Sequence, residues 1–266
     1  YRQEILDLAN KIGRTKAGTS REAIPFGPEY YCLEPILNPY QVKIAMHLKF
    51  REKVSAQDVA KESGEPYEKV KEALDYIAWA GVAFVNTVDG VDMYWQDIFV
   101  PGHLEMINNN KELVEKYPEV AEAFYFFGSK KGPMAAGIMP IGGGPMRVLP
   151  IERSIDGNSR RASYEELSKH LNEATVFSVS DCSCRTSREA MGEGCGHLKE
   201  NMCIQMDHAA EYYIKTGRGR EITREEAFEI IKTAEDNGLM HSIPNLDEPG
   251  HTHAICNCCG CGCYAM

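Results

Sequence analysis

Nine of the ten cysteines fall in two short stretches. Cys182, Cys184, Cys195 and Cys203 form one, Cys256, Cys258, Cys259, Cys261 and Cys263 the other, and Cys32 stands alone. The second stretch, ICNCCGCGC, puts five thiols into the eight positions from Cys256 to Cys263. Disulfide staples are usually spread over the domain they hold, whereas a metal centre needs several thiolates converging on a site a few Å wide. The clustering therefore predicts metal ligation. No basic segment with an apolar stretch behind it opens the sequence, so no secretory signal is read and a cytoplasmic location is expected. The chain starts at Tyr1 and stops at Met266, directly behind its densest thiols, which leads us to expect further sequence beyond it.

The spacing bears on the kind of centre. Structural zinc typically takes C-x₂₋₄-C pairs. Here the first stretch reads C-x-C, ten residues, C, seven residues, C, and no C-x-x-C anywhere is free of a further cysteine inside it. The C-x₂-C-x₂-C-x₃-C-P run of two-cluster ferredoxins and the C-x-x-C-H of haem attachment are both absent. Iron–sulfur clusters accept more varied spacing because their thiolates sit on different metal atoms. That makes all nine clustered cysteines candidate cluster ligands, with zinc and redox-active thiols as the alternatives. Arg185, Arg188, Arg218 and Arg220 lie near the thiols in sequence and could offset an anionic cluster. His208 is expected to be packed or hydrogen-bonded rather than a ligand.

Along the chain, the composition of 43% apolar and 26% charged residues in 266 is that of a globular protein, with no run of ~18 apolar residues for a membrane span. We expect an α+β fold: a helical arm over 1–37, a winged-helix-like domain over 38–105, a helix and Gly/Pro-rich connection over 106–150, and a mixed α/β cysteine-rich domain over 151–266. In the second segment NPYQVKIAMHLKF is helical, Ser55 and Asp58 are spaced as a helix cap, and Pro66 fits the first turn of a third helix. That helix buries Val70, Leu74 and Ile77 and ends at Gly81. VAFVNTV and VDMYWQD then alternate around Asp89-Gly90, a type I′ hairpin. DNA binding is disfavoured, because the third helix carries Glu65, Glu68, Glu72 and Asp75 against Lys69 and Lys71. The hairpin offers Asp89, Asp92 and Asp97 with no cation, and the net charge is −10.

In the third segment, Phe124 to Phe127 read as an aromatic stripe for core or partner contact, and Gly142-Gly143-Gly144 as a flexible connection into the strand MRVLPI. Beyond it Ser163 and Glu166 predict a capping box, TVFSVSD a buried strand delivering Cys182 and Cys184, and REAMGEGCGH a loop. Cys203 is expected to enter a long helix, NMCIQMDHAAEYYIKTG. Thr223 caps a further helix that Gly238 closes, and LMHSIPN is extended. No Walker motif, Gly-x-Ser-x-Gly elbow or His-Glu-x-x-His pair occurs, so no catalytic residue is assigned.

DCSCRTSREAMGEGCGHLKENMC, AAEYYIKTGRGREITREEAFEIIKTAEDNGLMH and ICNCCGCGC together resemble the N-terminal portion of a family of anaerobic iron–sulfur oxidoreductases. The similarity runs from about Pro35 to the end. It implies a winged-helix-like region, then one or two 4Fe-4S clusters held by the cysteine motifs, and a continuation into a two-cluster ferredoxin module. FAD and NAD(P) are implied only in a partner or in that continuation, as part of a flavin-dependent pyridine-nucleotide oxidoreductase. The expected partners are thus ferredoxin-type and flavoprotein redox subunits, without nucleic acid or a membrane span. The function expected is electron transfer within an oxidoreductase, with a redox-sensing regulator and a zinc-stabilised structural subunit as alternatives. One departure is Gly262, which separates Cys261 from Cys263 where the family's terminal run often has three cysteines in succession.

Overall fold

The structure, a computed structural model, describes residues 1–13, 22–131, 146–149, 166–244 and 252–264. Its fold is α+β, in two compact units, Tyr1–Ala135 and Ala136–Met266.

In the first unit α1 (Gln3–Ile12) and α2 (Pro28–Leu33) precede α3 (Pro39–Ala45), β1 (Val54–Ser55), α4 (Ala56–Ser63) and α5 (Tyr67–Ala80). The hairpin β2 (Phe84–Val88) and β3 (Val91–Trp95) follows, then α6 (Leu104–Asn108), α7 (Lys111–Lys116) and α8 (Glu119–Phe126). Asn38 with Gln41, and Ser55 with Asp58, form reciprocal capping boxes that satisfy the orphan N–H groups opening α3 and α4. Pro66 stands one position outside α5, as its N-cap. Val70, Leu74 and Ile77 are buried along one side of that helix, which ends at left-handed Gly81. Asp89 (φ 51°) and Gly90 (φ 80°) both take the positive φ of a type I′ turn. β1, too short to be read from the sequence, adds a third antiparallel strand in the order β1-β3-β2. The aromatic run does not form a stripe. Successive helical residues point about 100° apart, so Phe124 is buried in α8 while Phe126 is exposed.

Buried His103 and half-buried Lys11 help tie this unit together. His103 Nε2 accepts from the Asp97 N–H at 2.9 Å, which leaves Nδ1 to donate to Gly81 O at 2.9 Å. The end of the hairpin is thereby fastened to the end of α5. Lys11 donates to Ala45 O, Leu48 O and Gln96 Oε1, covering carbonyls at and just beyond the end of α3.

The second unit contains β4 (Met146–Leu149), α9 (Leu167–Glu173), β5 (Phe177–Ser180), α10 (Ser183–Ala190) and β6 (Cys203–Met206). It continues with α11 (His208–Lys215), β7 (Arg220–Ile222), α12 (Arg224–Asp236), β8 (Met240–Pro244) and β9 (Ala254–Cys258). The strands form one antiparallel sheet in the order β4-β8-β9-β6-β5-β7. Its apolar core includes Leu171, Val179, Ile204, Ile231, Ile243 and Ile255.

Two expectations fail here. Cys203 does not enter a long helix: Cys203–Met206 is an inner strand paired on both sides, and the helix starts only at His208. Asp207 separates them, with φ 50° and its Oδ1 accepting from both the backbone N–H and the hydroxyl of Thr175 at 2.9 Å. The apparent helical side of Ile204, His208, Tyr212 and Lys215 therefore spans a strand and a helix. Nor is REAMGEGCGH wholly a loop, since α10 runs through Ala190. Thr223 does cap α12, accepting from the Glu226 N–H. Gly142, Gly143, Gly144 and Ser163 lie outside the described residues.

Candidate metal centre

The sheet register brings the two cysteine stretches together. Ser180 of β5 lies opposite Cys203 of β6, and Cys203 lies opposite Cys256 of β9. Cys182, two residues past Ser180, is the N-cap of α10, and Cys184 sits in its first turn. Cys256 and Cys258 share a face of β9 because strand side chains alternate, and Asn257 takes the other face.

Six of these thiols form a closed ring. Cys182 interacts with Cys184 and Cys203, Cys184 with Cys263, Cys203 with Cys256, and Cys256 with Cys258. The ring closes between Cys258 Sγ and Cys263 Sγ, 3.4 Å apart. The three remaining clustered cysteines converge elsewhere. Cys195 Sγ lies 3.7 Å from Cys259 Sγ, and Cys261 Sγ lies 3.5 Å from His197 Nδ1. All four donor atoms fall within 4.8 Å of one another, and this group could hold a metal ion. Adjacent Cys258 and Cys259 thus point into different groups, as the geometry of neighbouring residues leads one to expect.

Glycine permits the second group to close. Gly196, between Cys195 and His197, has φ 77°, a conformation that other residues seldom adopt. A Cβ at Gly262 would lie 3.0 Å from Cys259 Sγ and 3.1 Å from Cys195 Sγ, so a side chain at this position would crowd two sulfurs.

Charge and hydrogen bonding follow the thiols. Arg185 is buried, and both its Nη atoms donate to Asn257 O at 3.0 Å. Its charge favours the thiolates of Cys182 and Cys259 beside it. Contacts with Cys184 and Cys203, helped by Arg185, hold the Cys182 thiol well below the ordinary thiol range. The Cys182 contact in turn pushes Cys184 and Cys203 well above it, with their other ring neighbours and burial adding to the shift. A thiolate at Cys182 disfavours ionisation of its neighbours, and a metal bound here would have to displace their protons. Burial works against ionisation of Cys259, but Arg185, Cys195 and the Gly262 N–H hold its thiol below the ordinary range.

On the far face of β9, His241 Nδ1 meets Asn257 Oδ1 at 2.8 Å and its Nε2 meets Glu235 Oε1 at 3.2 Å, a buried support for the strand between Cys256 and Cys258. Arg188 donates to Gly262 O and stacks on Tyr264. Arg218 instead lies on the Tyr212 ring and Arg220 pairs with Glu226. His208 packs against the ring of His253, and Cys32 is buried in α2 of the first unit, its thiol pushed up by burial.

The donor set fits iron–sulfur ligation, since six converging thiols include more than the four that one cubane takes, and it fits zinc at the mixed group. His197 is the candidate metal-binding residue that sequence reasoning missed. Its signal was the pairing of CGH at 195–197 with CGC at 259–261, two donor pairs each hinged on a glycine. Among the described residues no helix is long and apolar enough to cross a membrane. No family model, curated protein or solved structure matches the chain.

Proposed function

We propose that this chain is the electron-carrying iron–sulfur subunit or domain of a larger anaerobic oxidoreductase, with its cluster seated in the six-thiol ring. The closed ring carries the reading. One tetrahedral ion is satisfied by four donors, whereas six interacting thiols suit a polynuclear centre. A 4Fe-4S cluster bound there supplies one-electron transfer. The protein's own residues keep water off Cys182 and Cys258, which are almost fully buried, and Arg185 offsets thiolate charge. His241 and Glu235 brace Asn257 and so orient the ligands on either side of it. Charge, hydrogen bonding and exposure of this kind tune a cluster's potential.

In this reading the N-terminal unit is a winged-helix-like module that docks a ferredoxin-type or flavoprotein partner rather than DNA. Lys71, one of the two cations on α5, is already engaged by Asp75 and Asp92. The hairpin tip exposes Val88 and Val91 around Asp89, an apolar and acidic surface unsuited to phosphates. Salt-sensitive, submicromolar DNA binding would instead favour the redox-sensing regulator.

The test is iron and acid-labile sulfide analysis of the anaerobically purified chain, with EPR of the reduced form. We expect at least about four irons per chain, and loss of a cluster signal in Cys256→Ser and Cys258→Ser. Iron below about three per chain, or full iron and an unchanged spectrum in both variants, contradicts the proposal.

A further inference from the structure

We infer that Cys195, His197, Cys259 and Cys261 hold a single tetrahedral zinc ion, a closed structural site separate from the six-thiol ring. Ligands of one zinc sit at about 2.3 Å for sulfur and about 2.0–2.1 Å for nitrogen, so a tetrahedron has edges of about 3.8 Å between sulfurs and about 3.6 Å from sulfur to nitrogen. The measured edges are 3.7 Å for Cys195 to Cys259 and 3.5 Å for Cys261 to His197, with every donor within 4.8 Å of the others. The four thiolates of a cubane stand on four separate irons with the inorganic core between them, and so spread wider than the ligands of a single ion.

Three thiolates and one imidazole are a standard closed donor set for structural zinc, leaving no open position for a reacting water. Zinc also binds such a set more tightly than ferrous iron does. Three thiolates around a divalent ion leave one net negative charge, and the Arg185 guanidinium beside Cys259 matches it.

The site has a mechanical role. Cys259 and Cys261 lie in the turn whose two flanks, Cys258 and Cys263, are ring members 3.4 Å apart. Fastening that turn to Cys195 and His197 fixes the spacing at which the ring closes. Zinc at one group therefore positions thiols at the other.

The test uses the full chain purified anaerobically, with zinc and iron quantified separately and the zinc K-edge absorption fine structure recorded. We expect about one zinc per chain, with a shell of three sulfurs and one nitrogen at the distances above. Cys261→Ser and His197→Ala, both at exposed positions, should each weaken zinc binding by more than roughly 100-fold, beyond what second-shell changes cost. Cys203→Ser should leave zinc untouched. A wild-type protein without zinc, a zinc shell without nitrogen, or zinc retained at full affinity by both variants overturns the inference. Because the two metals are counted separately, the iron reading can fail while this one stands, and the reverse.

Discussion

The N-terminal unit buries Leu74, Ile77, Tyr94 and Phe124, and polar ties such as those of His103, Lys11, Tyr76 and Asn110 join its elements. The C-terminal unit builds an equally apolar sheet around Ile204 and Ile255, yet gives one end of that sheet to nine thiols and a buried arginine. Touching thiols gain little by packing alone and repel one another once ionised. Stability in the first unit is thus a matter of apolar burial and satisfied polar groups, while in the second, on the proposed reading, it is linked to metal.

The largest test of that contrast is metal removal. Anaerobic chelation should melt the loop and turn that carry Cys195 to Cys203 and Cys259 to Cys263, an effect on the order of 10 kcal/mol where metal binding supplies the folding energy. Hydrogen exchange should show α10 and β9 losing protection while α3 to α5 keep theirs. Equal loss in both units would break the comparison.

Arg185→Ala comes next. It strips a buried cation from Cys182 and Cys259 and two hydrogen bonds from Asn257 O, and we expect a loss of roughly 3–5 kcal/mol in anaerobic urea titrations of the metal-loaded protein. Arg220→Ala, which removes an exposed pair with Glu226, should cost below about 1 kcal/mol.

Acid should act on the first unit. Burial lowers the His103 pKa from 6.5 to about 4. As pH falls through 6.5 the unfolded chain takes up the proton first, so the His103 contribution is complete above 6.5, declines towards 4 and then levels off, a change of roughly 3 kcal/mol. His103→Gln, which can still accept from Asp97 N–H and donate to Gly81 O, should flatten that dependence in exchange protection of α5.

Gly262→Ala probes the mixed group by crowding alone. Its added methyl meets Cys259 Sγ at 3.0 Å and Cys195 Sγ at 3.1 Å, and we expect a cost of roughly 1–3 kcal/mol confined to the C-terminal unit in the same urea titrations.

What the sequence disclosed follows from how local each signal is. Capping at Ser55 and Thr223, the Asp89-Gly90 turn and the strand at 177–180 depend on neighbours a few residues away, and all are found. Cys203–Met206 misled because CIQM, with its apolar and sulfur residues, suits a helix flank as well as a strand. Only pairing with β5 and β9 and the positive φ of Asp207 decide it. The convergence of the cysteines was legible from their clustering. Their partition into a ring of six and a group of three with His197 was not, because it depends on the register that sets Cys203 opposite Cys256 and on a contact between His197 and Cys261, 64 positions apart.

On the proposed reading the six-thiol ring holds a polynuclear iron–sulfur centre that takes up and returns electrons. Iron K-edge absorption of the anaerobically purified chain, before and after reduction with dithionite and again after reoxidation, tests it directly. Sulfur ligation, an iron–iron scattering shell and an edge that shifts reversibly are expected. A sulfur shell with no iron–iron scattering, or no bound iron, would contradict it.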